Sequence, residues 1–206
     1  MRTVWLASAL ALSACVYQAQ LPSIDAVGAA SVGARQPGRY AALVQTGGWN
    51  MNSTVVGWNC AAHTYQADVN PSWVQGMTNA LQASLETVAF PERVLSPADI
   101  AAGGYAAFVS FTQSNATSRV TVAPRVFFGA DAVSETALEG IVVLQLPDGT
   151  REQQPISGRG TSSKPIFSCG DATDAVAASA AAALQELVRN ASTTTKLILA
   201  QRVKRV

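Results

Sequence analysis

Hydrophobic and polar positions along the 206-residue chain change pattern several times. Residues 4–14, VWLASALALSA, form one unbroken apolar run, whereas residues 16–38 are small, polar and broken by Pro and Gly with no sustained period. That second stretch reads as a flexible linker with a span of about 25–30 Å. RYAALVQT (39–46) predicts a strand, TGGWNMNS a turn, and STVVGWN (53–59) a strand able to pair back on it. Over 68–90, Trp73, Met77, Leu81, Leu85 and Val88 recur at helical spacing. Asn70 suits the N-cap of that helix, Pro71 its first position, and Pro91 its stop.

Beyond the helix the period changes to two. GYAAFVSFTQ (104–113) and SRVTVAPRVFFG (118–129) predict strands, with Pro124 marking a bulge or an edge. SETALEGIVVLQLPDGTREQQPISGRGTS (134–162) predicts a hairpin. Leu138, Val142, Leu144 and Leu146 share one face, PDG supplies the turn, and Pro155 assigns the return strand to an edge. CGDATDAVAASAAAALQELVRNAS (169–192) predicts a second helix, capped by Asp171 or Thr173. Its stripe of Val176, Ala180, Ala183, Leu184, Leu187 and Val188 is small enough for close approach to a neighbour. Residues 193–206 continue as a last strand, a tail or a basic extension of the helix. The expected fold is α+β: a two-layer sandwich whose mostly antiparallel sheet carries two helices on one face.

Composition narrows the function classes. Apolar residues make up 49% of the chain, which is not the composition of a disordered protein. Charge is sparse and balanced, 14 basic against 13 acidic residues, so no overall field favours nucleic acid. The basic residues Lys196, Arg202, Lys204 and Arg205 near the end read as a solvated tail. A bilayer span takes about 20 apolar residues, and the run at 4–14 is too short. With Arg2 before it and small residues at its end, it has the form of a secretory signal peptide.

LSAC (12–15) closes that run and resembles the bacterial lipobox, whose cysteine becomes the lipidated first residue of the mature protein. The resemblance implies a signal peptide at 1–14 and lipid on Cys15. Val16 stands where an aspartate commonly retains such proteins in the inner membrane, which points to the periplasmic face of the outer membrane. With Cys15 lipidated, Cys60 and Cys169 remain as a pair, and an oxidising compartment favours a disulfide between them. Because each cysteine precedes a predicted helix, that bond is expected to join two helix entrances. The resulting division is lipidated N-terminus and linker at 15–38, folded domain at 39–192, and C-terminal strand or tail at 193–206.

Candidate chemistry is thin. His63 is the one histidine, and with Cys60, Cys169 and Asp68 it would complete a four-ligand metal set. A loop histidine beside a disulfide is the simpler reading, so no metal is assigned. A serine triad lacks its G-x-S-x-G elbow, and GRG (158–160) and AAGGYA (101–106) lack the context of phosphate loops. No catalytic residue and no cofactor are assigned. The sequons at Asn52, Asn115 and Asn190 are expected by chance in a chain rich in Ser, Thr and Asn, and the lipobox resemblance implies a bacterial protein in which they carry no weight.

As a whole, LSAC, CAAHTYQAD, VTVAPRVFF with ALEGIVVLQLPDG, and SGRGTS leading to CGDATDAVAASAAAALQEL resemble the small periplasmic outer-membrane lipoproteins of Gram-negative bacteria. That group includes auxiliary lipoproteins of ABC transporters and activator lipoproteins of cell-wall synthases. The resemblance implies a non-enzymatic accessory or scaffold that is held to the membrane by its lipid, binds other envelope proteins and does not bind nucleic acid. A lipid- or glycan-binding module is the alternative, and an envelope hydrolase a weaker one.

Overall fold

A computed structural model describes residues 15–22, 34–47, 49–126 and 128–203. The predicted signal segment therefore lies outside the described residues, as do Phe127, Lys204 and Arg205.

Three long strands dominate. β6 (Ala107–Pro124), β7 (Ala130–Gln145) and β8 (Arg151–Ile166) form an antiparallel meander. The PDG turn joins the last two, with Gly149 at φ 87°. Strand β6 fuses the two predicted strands at 104–113 and 118–129. Its register slips between Gln113 and Asn115 opposite Gly140, a bulge that bends the strand and sharpens its twist.

The other edge of β6 divides into two wings. β2 (Gln36–Val44) runs parallel to its first residues, from Tyr40 opposite Ala107 to Val44 opposite Phe111, and β5 (Leu85–Ala89) lies outside β2. β3 (Asn50–Val56) runs parallel to its last residues, from Thr54 opposite Arg119 to Val56 opposite Thr121. β4 (Thr64–Asp68) pairs antiparallel with β3, and β1 (Val16–Ala19) pairs parallel with β4. The sheet is thus mixed and curled into a half-barrel, not the mostly antiparallel two-layer sandwich that the sequence predicts.

The curl wraps helix α3 (Ala172–Val203). Gly158 and Gly160 alternate inward on β8, where α3 presses its backbone onto the strand. A Cβ at Gly160 would lie 2.6 Å from the Ala183 nitrogen. GRG is therefore neither a bulge nor a phosphate loop but the seat of the helix, and the alanine run faces it. α1 (Asn70–Ser84) packs against α3, with the Ser84 and Ser192 hydroxyls meeting at 2.8 Å, and buries Trp73, Met77 and Leu81 in the core. α2 (Pro97–Ala102) covers the opposite face of β2 and β6, where Ile100 and Leu95 meet Ala41 and Phe108. Helices therefore occupy both faces of the sheet, not one.

Three further expectations change. α1 ends at Ser84, and Leu85–Ala89 becomes β5, in keeping with β-branched Thr87 and Val88. Its N-cap is Val69, and the Asp68 carboxylate accepts from the Asn70 N–H at 3.0 Å. The predicted linker at 15–38 contains β1 and the start of β2. Of the alternatives left open for the chain's end, residues 193–203 take the helical extension of α3, and Arg202 pairs with Glu152.

Candidate functional site

One end of the molecule gathers the residues singled out by the sequence. Strand β1 begins directly after Cys15, whose exposed thiol is free and whose carbonyl accepts from Thr64 N–H at 3.2 Å. The short 3-10 helix Trp58–Ala62 precedes β4 at the same end and carries Cys60. Cys60 is bonded to Cys169, with 5.5 Å between their Cα atoms. The disulfide ties this turn to the entrance of α3. It does not reach α1, because β4 carries the chain away before α1 begins.

Aromatic rings fill the space between Cys15 and the disulfide. Tyr17 stacks on Tyr65 with centroids 5.5 Å apart and meets His63 edge-on at 5.4 Å. The Tyr65 hydroxyl donates to the Cys169 carbonyl at 2.6 Å. Burial, then Tyr17 and Asp171, push the Tyr65 phenol up to about 12. Asp171 accepts from the Phe167 and Ser168 N–H groups at 2.9 and 2.8 Å, and these bonds hold its carboxyl below the usual range. Each ring and carboxylate here ties one chain segment to another. Among the described residues His63 faces Tyr17 and its Nδ1 has no hydrogen-bond partner, and the two nearby cysteines are consumed by their bond.

The β6–β7 hairpin turns at this same end. Gly57, just before the 3-10 helix, lies against the Val122 carbonyl, and Gly129 lies against the Ile166 carbonyl and the Phe167 ring. The two ends of the turn are joined: Arg125 N–H donates to the Gly129 carbonyl at 3.1 Å. The Arg125 guanidinium grips Asp131 through bonds of 3.0 and 2.6 Å. From this frame Val126, Phe128 and Phe167 project into solvent with 92%, 85% and 79% of their surface exposed. Val16 and Val56 are exposed at the same end. Single exposed apolar residues are ordinary, but a cluster of large ones marks an interaction surface. The sequence pattern assigned Val126 and Phe128 to a strand; the positive φ of Gly129 instead closes a turn that turns Phe128 outward.

Concavities also lie elsewhere. On the outer sheet face, Asn52, Thr54, Arg119, Glu135, Arg159 and Thr161 line a polar groove of about 710 Å³. Beneath it runs a buried chain of hydroxyls. Ser53 meets Ser118 at 2.7 Å, Thr136 lies 3.4 Å from Ser118, and Ser179 holds Thr136 and Ser134 at 2.9 and 2.8 Å. At the far end of α3, Tyr40, Leu146, Pro147, Leu199 and Arg202 border an apolar crevice of about 610 Å³. No helix among the described residues is long and apolar enough to cross a membrane.

No family model matches the chain, and no curated protein matches it. Among solved structures, the fold is similar to the crystal structure of protein XCC0632 from Xanthomonas campestris, which carries the family label DUF330. The TM-score is 0.50 at 12% identity, over 94% of this chain and 100% of that one. That likeness concerns the fold alone.

Proposed function

We propose that the protein is a lipid-anchored accessory of the bacterial cell envelope, tethered through Cys15 at the periplasmic face of the outer membrane and serving an assembly or transport complex as a non-enzymatic scaffold. The observation that carries this reading is the position of Cys15. It closes the LSAC motif at the end of an apolar run, and it stands exposed at the point where the folded domain begins. A cysteine that serves a core is buried, as Cys60 is. The disulfide agrees with an oxidising compartment. The non-enzymatic reading draws support from His63, which meets the Tyr17 ring and, among the described residues, no carboxylate.

The test is the intact mass of protein extracted from membranes. A chain beginning at Cys15 and carrying acyl mass is expected, and Cys15→Ser is expected to yield protein without acyl mass. A chain that retains residues 1–14, or is cut elsewhere without lipid, overturns the reading.

A second reading, a module that binds an acyl chain, is favoured by the apolar crevice at Tyr40, Leu146 and Leu199. It predicts that a fluorescent fatty acid binds the soluble Cys15→Ser chain and that Leu199→Glu abolishes the binding.

A further inference from the structure

We infer that the end of the molecule formed by Val126, Phe128 and Phe167 rests in the surface of a phospholipid bilayer, so that the domain is seated on the membrane and not suspended from it. This inference rests on the anchoring reading above and adds to it an orientation and a second point of attachment.

The argument begins with distance along the chain. A linker of residues 16–38 would have let the domain face any direction, but β1 starts at Val16, the residue after Cys15. An acyl chain on Cys15 therefore brings β1 and β4 themselves to the lipid headgroups. Whatever shares that end of the molecule meets the membrane too. Through the disulfide, the 3-10 helix and the Gly57–Val122 contact, that end includes the β6–β7 turn and Phe167.

The chemistry of the turn suits a lipid surface. Val126 and Phe128 on the turn, and Phe167 beside it after β8, are the kind of residue that enters the boundary between headgroups and acyl chains. Its charged groups are neutralised or tied down: Arg125 is paired with Asp131, and Asp171 is held by backbone N–H groups. Lys164 is exposed on β8, two residues before Ile166, where an anionic headgroup would meet it. The Arg125–Asp131 clamp fixes the turn before binding, so little order is lost on contact. One acyl chain alone gives marginal attachment, and stable anchoring takes a second signal. The apolar turn supplies one in the fold.

The experiment uses the chain from residue 15 onward with Cys15→Ser, because the apolar run at 4–14 would itself bind lipid. Flotation with phosphatidylethanolamine–phosphatidylglycerol vesicles gives its partition coefficient. Measurable partitioning without any acyl group is expected, falling at least tenfold in the triple variant V126S/F128S/F167S. Leu197→Ser is the control: it is an exposed apolar site on the last turns of α3, about 37 Å along the helix from its start. It is expected to leave partitioning unchanged. Far-UV circular dichroism establishes that the triple variant is folded, and the exposure of all three sites predicts that it is. No partitioning of the parent chain, or equal partitioning of the triple variant, overturns the inference. So does self-association of the parent that the triple variant abolishes, since the surface then belongs to a second copy. Failure of acylation in the intact-mass experiment would leave this vesicle measurement standing, so the two readings fail separately.

Discussion

Replacing Gly160 by alanine tests how α3 is held. In open surroundings the change stabilises a protein by about 0.4–1 kcal/mol, because the unfolded chain has less freedom to lose. Here the new Cβ would sit 2.6 Å from the Ala183 nitrogen, 2.9 Å from the Ala182 Cβ, and nearer still to the Ser179 carbonyl. Ordinary contact begins at 3.4 Å, so α3 must withdraw from β8 by about 0.8 Å to clear the Ala183 nitrogen and further to clear the Ser179 carbonyl. A gap of that size forfeits about a quarter to a half of the dispersion attraction between the surfaces it separates. The seam carries Ala180, Ala183, Leu184 and Leu187, all fully buried. It also pulls on Ser179, whose hydroxyl meets Ser134 and Thr136. The expected net loss is about 2–3 kcal/mol, the upper part of the range for overpacked cores. Urea unfolding of the oxidised protein, followed by far-UV circular dichroism, reads it directly. Gly47→Ala is the control, since nothing lies within 4 Å of its Cβ position, and it is expected to be neutral or mildly stabilising. Gly158→Ala meets the same helix, with Leu187 nitrogen at 2.5 Å from its Cβ position. The double variant should therefore cost much less than the sum, because one displacement of α3 relieves both clashes. A Gly160→Ala protein as stable as its parent would refute the close seating of the helix.

Three other outcomes are expected. Reduction of the Cys60–Cys169 bond, or Cys60→Ser, opens a link across a sequence separation of 109 and should lower stability by about 2–5 kcal/mol; a loss under about 1 kcal/mol in urea titrations with and without reductant would contradict its role as a staple. Ser179→Ala leaves Thr136 and Ser134 short of a buried partner and should cost about 1–3 kcal/mol, with less than additive loss when combined with Ser134→Ala; strict additivity would show that the hydroxyls act independently. The Asp171 carboxyl is lowered by the Phe167 and Ser168 N–H groups, so its contribution is fully present above the ordinary carboxylate value of about 4 and is lost as pH falls through its lowered folded value; Asp171→Asn should therefore destabilise at neutral pH by an amount that shrinks in acid, and a difference constant from pH 7 to about pH 2 would contradict this.

What the sequence made legible follows the range of its signals. The PDG hairpin could be read because turn chemistry and period-two alternation are local, and Leu138, Val142 and Leu144 are buried as their shared parity requires. The start of α1 and the alanine face of α3 are local signals in the same sense. The division of β6 between β2 and β3 is not local. Nothing in SFTQSNATS announces that one strand pairs with a different neighbour at each end, because that depends on chain segments some sixty residues away. Strand β5 was hidden for another reason: Leu85 and Val88 fit helical spacing and strand alike, and pairing with β2 decides between them. The disulfide was legible by counting cysteines, but its place at one helix entrance rather than two depended on β4, a strand of five residues.

The change with most consequence for function is the smallest, four residues of β1. VYQA carries no periodicity, and the Pro- and Gly-broken stretch that follows argues for a linker. What holds it is tertiary: Tyr17 stacks on Tyr65 and packs against Gly170 of the disulfide-bonded turn, and Ala19 is buried against the core. A linker after Cys15 would make an anchored domain free to search a volume about 25–30 Å deep, a design suited to reaching a partner. A strand after Cys15 removes that freedom and exchanges reach for orientation. Under the anchoring reading, the surfaces remote from Cys15, among them the far end of α3 and its apolar crevice, face away from the membrane and are the ones proposed to meet a periplasmic partner. The two ends thus divide the work under the anchoring reading, one toward lipid and the other toward protein. A crosslinker placed at Leu197 is accordingly expected to capture an envelope partner when the same crosslinker at Phe128 captures lipid, and the reverse pattern would invert the assignment.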